Sequence, residues 1–190
     1  MRTYTISGRQ ANLWSLLFVA PVLLFDVIPF IFIWCNFGNN LQDTIPSIFY
    51  HNTFVIKYVG FVFLILLSGI VFHELIHGIS MAIFAPNGWK SVSFGFNAKA
   101  FAPYAHCKEP LKPAAYRTSL VLPGILLGDI PVIISWVTGN IFFLFFGVLF
   151  SLAASGDIII FWISRKIKDG MLQDHPDEIG FIHCLPDKNL

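Results

Sequence analysis

Long apolar runs alternate with short polar breaks along this chain. A helix that crosses a bilayer needs about 20 mostly apolar residues. Four runs meet that length, at about 13–35, 55–84, 115–137 and 141–163. Only Thr138, Gly139 and Asn140 separate the last two. That leaves room for a tight turn, so those two helices are predicted to be antiparallel neighbours.

The pattern changes between the second and third runs. Asn87-Gly88 is a turn signal. The stretch SVSFGFNAKAFAPYAHC then partly alternates, with aromatics at Phe94, Phe96, Phe101 and Tyr104. It predicts one or two short strands at the membrane edge, or else an ordered interfacial loop. The tail from Arg165 is polar and is expected to be partly disordered. The reading is an all-α polytopic membrane protein of about four transmembrane helices, with a short interfacial β-like loop between spans two and three. Residues 1–190 form a single integral membrane unit, and 164–190 form its cytoplasmic tail.

Composition strengthens the membrane reading. The chain is 56% hydrophobic and 12% charged, about half the charge of an ordinary soluble domain. Its net charge of +1, without a basic stripe, argues against a nucleic-acid partner. Cys35, Cys107 and Cys184 are widely spaced and form no CxxC pair, so free thiols are expected. Cys107 beside His106 reads as a small loop hydrophobe rather than half of a metal site. Arg2 and Arg9 precede a run too long for the apolar region of a signal peptide, so a retained first span is expected.

Lysine and arginine set the orientation. Arg2, Arg9, Lys90, Lys99, Lys108, Lys112, Arg117, Arg165, Lys166 and Lys168 fall on one side of the predicted spans. The other side has only Lys57, whose stem can snorkel to the interface. Both termini and the middle loop are therefore expected in the cytoplasm, with the protein multi-pass in the cell membrane.

The second span holds the chemistry. In GIVFHELIHGIS, two histidines and a glutamate interrupt an apolar run. Ionisable groups inside a span are rare and functional by default. On a helix, His73 and His77 lie four apart and share a face. Glu74 lies about 100° round from His73, placed to reach a water on an ion held by the histidines. H-E-x-x-H on a helix supplies two zinc ligands and a general base. The competing reading is a hydrogen-bonded cluster joining helices.

A catalytic zinc takes a third protein ligand and keeps one position open. Asp26, Asp129 and Asp157 are the candidates within other spans. Counted along the helices, His77 lies about 10 Å and Asp157 about 9 Å from the cytoplasmic end, whereas Asp129 lies roughly 20 Å in. Depth therefore favours Asp157 over Asp129 as third ligand, unless Pro123, Gly124 and Gly128 break the third span. Asp26 and Asp129 are left as supports of the metal site, bundle contacts or lining of a wet cleft. His51, His106, His175 and His183 lie outside the spans. Of these, His106 sits nearest the expected cytoplasmic mouth and is a candidate substrate-binding residue.

HELIHG in span two, FAPYAHCKEPL in the loop, LVLPGILLG in span three and SGDIII in the last span together resemble a bacterial family of membrane zincin peptidases. That family is distantly similar to the site-2 proteases, which cut other membrane proteins within the bilayer. The resemblance covers about residues 60–185. It implies that His73, His77 and Asp157 bind Zn2+ and that Glu74 is the catalytic acid/base. Site-2 proteases carry their aspartate in an L-D-G context; here it is G-D-I. The expected function is zinc-dependent, membrane-embedded peptide hydrolysis acting on a membrane protein or peptide. The alternative is a non-proteolytic zinc-binding membrane protein, a transporter or sensor.

Overall fold

A computed structural model describes residues 1–35, 52–97, 102–176 and 178–185. His51, Lys99 and Phe101 lie outside the described residues.

The chain opens with a strand, β1 (Arg2–Ile6), then turns into the first long helix. Ser7 starts that helix with a capping box: its hydroxyl accepts from the Gln10 N–H, and the Gln10 side chain accepts from the Ser7 N–H at 3.0 Å. Helix α1 (Gly8–Val22) runs through a π-helical turn at Leu23–Val27 into α2 (Ile28–Cys35). Helix α3 (Asn52–Phe84) is a single unbroken rod of 33 residues, about 50 Å long. Helix α4 (Pro113–Pro123) passes through a second π-helical segment, Gly124–Asp129, into α5 (Ile130–Thr138).

Among the described residues, three stretches are long and apolar enough to cross a membrane: Gly8–Trp34, Val59–Phe84 and Pro113–Thr138. The fourth predicted span differs from a simple rod. It is two helices, α6 (Ile141–Ala153) and α7 (Ser155–Ser164), bent by 44° at their junction. Ala154 and Ser155 are both buried at the bend.

The tight turn before α6 forms as the spacing requires. Gly139 has φ +70°, a left-handed conformation that closes α5 with its N–H on the Ser135 carbonyl. The Asn140 side chain then caps α6 by accepting from the Phe142 N–H at 2.9 Å. A Cβ on Gly147 of α6 would lie 2.8 Å from the Gly128 carbonyl oxygen, so glycine there lets α6 touch the π-helical segment after α4 through backbone. Two indoles tie the first span to the third. Trp34 donates to the Trp136 carbonyl at 3.1 Å, and Trp136 donates to the Asp26 carbonyl at 2.9 Å.

Two small sheets cap one end of this helical assembly. Strands β2 (Val92–Asn97) and β3 (Ala102–Cys107) form an antiparallel hairpin, with Val92 opposite Cys107 and Asn97 opposite Ala102. The loop between spans two and three is thus paired β-structure. The tail, expected to be partly disordered, contains two strands. Strands β4 (Met171–Asp174) and β5 (Ile179–Cys184) join β1 in an antiparallel sheet of order β1-β5-β4. Burial explains the order: Leu172 and Phe181 are fully buried against Met81, Leu111, Tyr116 and Ile160. Arg117 fastens the same end, donating to the Ser164 and Ile167 carbonyls at 3.0 and 2.9 Å, where α7 runs out of N–H partners. Strands β1, β4 and β5 therefore sit on the side of the molecule that carries the hairpin.

Candidate metal centre

Three side chains from two helices converge where α3 passes α7. The 3.6-residue period of α3 stacks His73 under His77, and both are buried. The bend after Ala153 starts a new helix, which places Asp157 in its first turn, a position where the helix dipole favours a carboxylate. His73 Nε2 lies 3.2 Å from His77 Nε2 and 3.2 Å from Asp157 Oδ2. His77 Nε2 lies 3.4 Å from the same Asp157 oxygen.

This triangle fits a zinc ion. Ligands at about 2.0–2.1 Å in tetrahedral geometry stand roughly 3.3–3.4 Å apart, and the three edges match that spacing. The donor chemistry fits as well. His77 Nδ1 is 2.8 Å from the Ser119 carbonyl oxygen. A carbonyl only accepts, so Nδ1 carries the proton and Nε2 presents a lone pair to the cluster. That lone pair faces another ring nitrogen and a carboxylate oxygen, an arrangement that calls for a cation between them. Two imidazoles and a carboxylate leave the fourth position open, as hydrolytic zinc sites do.

Glu74 sits beside this cluster, close enough to His77, His73 and Asp157 to interact electrostatically. Its carboxylate accepts a hydrogen bond from the Ala105 N–H of β3 at 2.7 Å. Two residues on, the Cys107 N–H donates to Asp174 Oδ2 at 2.9 Å. The two donors lie on the edge of β3 that faces away from β2, about 7 Å apart, and Pro103 offers none on that edge. The helix bearing the histidines and the C-terminal sheet thus meet along one strand edge.

His106 does not join the metal cluster. Its Nδ1 lies 3.8 Å from Asp174 Oδ2, and Asp174 also takes a hydrogen bond from the Tyr116 hydroxyl. The structure brings Asp157, and not Asp129, to the histidines. Asp129 lies instead with Asp26 and Ser151 on the wall of a separate cavity of about 480 Å³, lined mainly by apolar side chains of the first, third and fourth spans. Cys107 is buried in the core and its thiol contacts the Glu109 carbonyl at 3.3 Å. Burial pushes that thiol's pKa up, as befits a packing residue.

Sequence reasoning missed two groups. Asp174 stood in a polar tail expected to be partly disordered. The Ser119 carbonyl is a backbone atom with no side-chain signature of its own.

Residues 66–172 match the family described as "Putative zincin peptidase". The chain belongs to this family. The matched stretch contains His73, Glu74, His77 and Asp157. Zincin peptidases are zinc enzymes, so membership implies a Zn2+ cofactor and metallopeptidase activity. The triangle of His73, His77 and Asp157 is the cluster among the described residues that can hold it. No curated protein and no solved structure matches the chain.

Proposed function

We propose that this zincin peptidase is a membrane-embedded zinc hydrolase of the HExxH type, similar in layout to site-2 proteases, that cuts membrane proteins or peptides near the cytoplasmic face. One observation carries the reading: His73 Nε2, His77 Nε2 and Asp157 Oδ2 stand 3.2–3.4 Å apart on apolar helices, with Glu74 next to them.

His73, His77 and Asp157 would hold a zinc ion, which would supply Lewis acidity to activate a water and polarise the scissile carbonyl. Glu74 accepts the proton of the attacking water and then delivers one to the leaving amine. A helical substrate hides its peptide bonds, so it must unwind to be cut. The β2–β3 hairpin supports a role in holding the unwound segment by strand addition. Glu74 itself occupies the Ala105 N–H on that edge, so a strand pairing there would take over the donor and release the carboxylate toward the water.

The topology supports the cytoplasmic placement. Arg2, Lys90, Lys108, Lys112, Arg165 and Lys168 gather at the end capped by the two sheets, as the positive-inside bias requires of a cytoplasmic surface.

Glu74→Gln separates hydrolysis from plain metal binding. Purified variant and wild type are compared for zinc content and for cleavage of a transmembrane substrate. The expected variant keeps its zinc and loses cleavage. A variant that cleaves normally removes Glu74 as the base, whereas wild type that holds zinc and cleaves nothing favours a transporter or sensor.

A further inference from the structure

The Ser119 carbonyl is free to hold His77 for a reason written in the chain four residues later. In an α-helix each carbonyl is taken by the N–H four residues on. For Ser119 that residue is Pro123, which has no N–H. The next donor, Gly124, gives its N–H to the Val121 carbonyl instead. Ser119 thus keeps a carbonyl without a helical partner, deep among apolar side chains, where an unpaired polar group is costly. His77 Nδ1–H fills that vacancy at 2.8 Å. Ser119 and Pro123 are both fully buried, so water does not compete for the bond.

We propose that Pro123 is a positioning residue of the metal centre. By withholding an N–H it presents the Ser119 carbonyl to His77, and that bond dictates which nitrogen of His77 faces the metal. The inference rests on the zinc-site reading above. His73 underlines the point: its Nδ1 is buried with no partner among the described residues. Of the two rings, His77 is the one whose tautomer and angle the backbone sets. A non-proline residue at 123 would bring an N–H into competition for the same carbonyl and draw it back along the helix axis.

The test compares Pro123→Ala with Pro21→Ala in the full-length, detergent-purified protein. Pro21 is the other kind of case: a proline inside a membrane helix, on an exposed position of the first span and away from the metal cluster. Zinc dissociation constants are measured by competition with a chelator, and folding is checked by circular dichroism. Pro123→Ala is expected to weaken zinc binding by about 10- to 100-fold, the usual cost of losing a partner behind a ligand histidine. Pro21→Ala is expected to bind like wild type. Unchanged affinity in Pro123→Ala overturns the proposal. So does equal weakening in both variants.

A second measurement needs no variant. Nitrogen-15 spectra of histidine-labelled, metal-free wild type should show His77 protonated at Nδ1. A His77 ring that carries no proton at Nδ1 overturns the proposal even if Pro123→Ala does not fold. Neither readout uses peptide hydrolysis. Wild type that binds no zinc at all defeats the metal-site reading itself, whereas wild type that binds zinc as tightly as Pro123→Ala defeats only the role given to Pro123.

Discussion

Replacing Asp157 by alanine tests the metal centre at its least obvious member. The carboxylate oxygen lies 3.2 Å from His73 Nε2 and 3.4 Å from His77 Nε2. It is the one anionic group of the triangle, so its loss leaves two neutral imidazoles to hold a dication in an apolar setting. Zinc sites with four protein ligands bind with about 10–16 kcal/mol at neutral pH, or roughly 3–4 kcal/mol per ligand. Losing one of three ligands at about 3 kcal/mol weakens binding by about 100-fold or more. Asp129→Ala is the matched control, because Asp129 is an acid of a neighbouring span that lines a separate cavity. The assay is metal content of detergent-purified protein after equilibration with a chelator, followed by a competition titration. Wild type and Asp129→Ala should keep about one zinc per chain, and Asp157→Ala should keep almost none. Full zinc in Asp157→Ala, or equal loss in Asp129→Ala, refutes the assignment of the third ligand.

Two further outcomes follow from residues outside the triangle. Asp174→Ala strips the acceptor from the Cys107 N–H and the Tyr116 hydroxyl and loosens the strand that anchors Glu74. Turnover should fall by about 10- to 100-fold, the scale of a misplaced catalytic group, with zinc content intact and Asp174→Asn largely active; unchanged turnover in Asp174→Ala sinks the link between the C-terminal sheet and the base. Glu109 accepts from the Ser91 hydroxyl and from the Asn87 side chain and backbone, contacts that hold its carboxyl below its ordinary 4.5. Because the folded value is the lower one, these contacts stabilise the turn after α3 above the ordinary value and are lost as pH falls through the folded value. Amide protection at 87–91, taken relative to the intrinsic exchange rate at each pH, should therefore fall at acid pH in wild type, while Glu109→Gln should show no such acid-dependent step.

The legible parts of this protein are those that depend on neighbours in sequence. His73, Glu74 and His77 declare themselves because helical periodicity alone puts them together. Gly139 and Asn140 declare the turn between the third and fourth spans, since three residues leave no other path. Asp157 was reachable by counting depth along two helices. Other parts were hidden for physical reasons. Strand β1 pairs Arg2 with His183, a contact across almost the whole chain, and five residues carry too little alternation to announce it. The polar tail concealed Leu172 and Phe181, two side chains that become fully buried only once the ends of the helices supply a surface. The 44° bend in the last span sits at a run of small residues, Ala153 to Gly156, whose composition suits close packing as well as a break.

The irregular points of the helices are where the candidate site is built. A continuous membrane helix satisfies every N–H and carbonyl internally and so has nothing but side chains to give. Here the break after Ala153 turns Asp157 toward the histidines at the start of a new helix. The missing N–H of Pro123 leaves the Ser119 carbonyl for His77. The edge of β3, unpaired on its outer side, lends the Ala105 N–H to Glu74. Each interruption exposes one backbone group or re-aims one carboxylate at the unbroken rod α3, which carries His73, Glu74 and His77. A rigid rod with fixed side-chain spacing, surrounded by elements that each yield one polar group, explains how three ionisable residues are held at depth: backbone supplies the partners of His77 and Glu74, and a re-aimed carboxylate supplies that of His73.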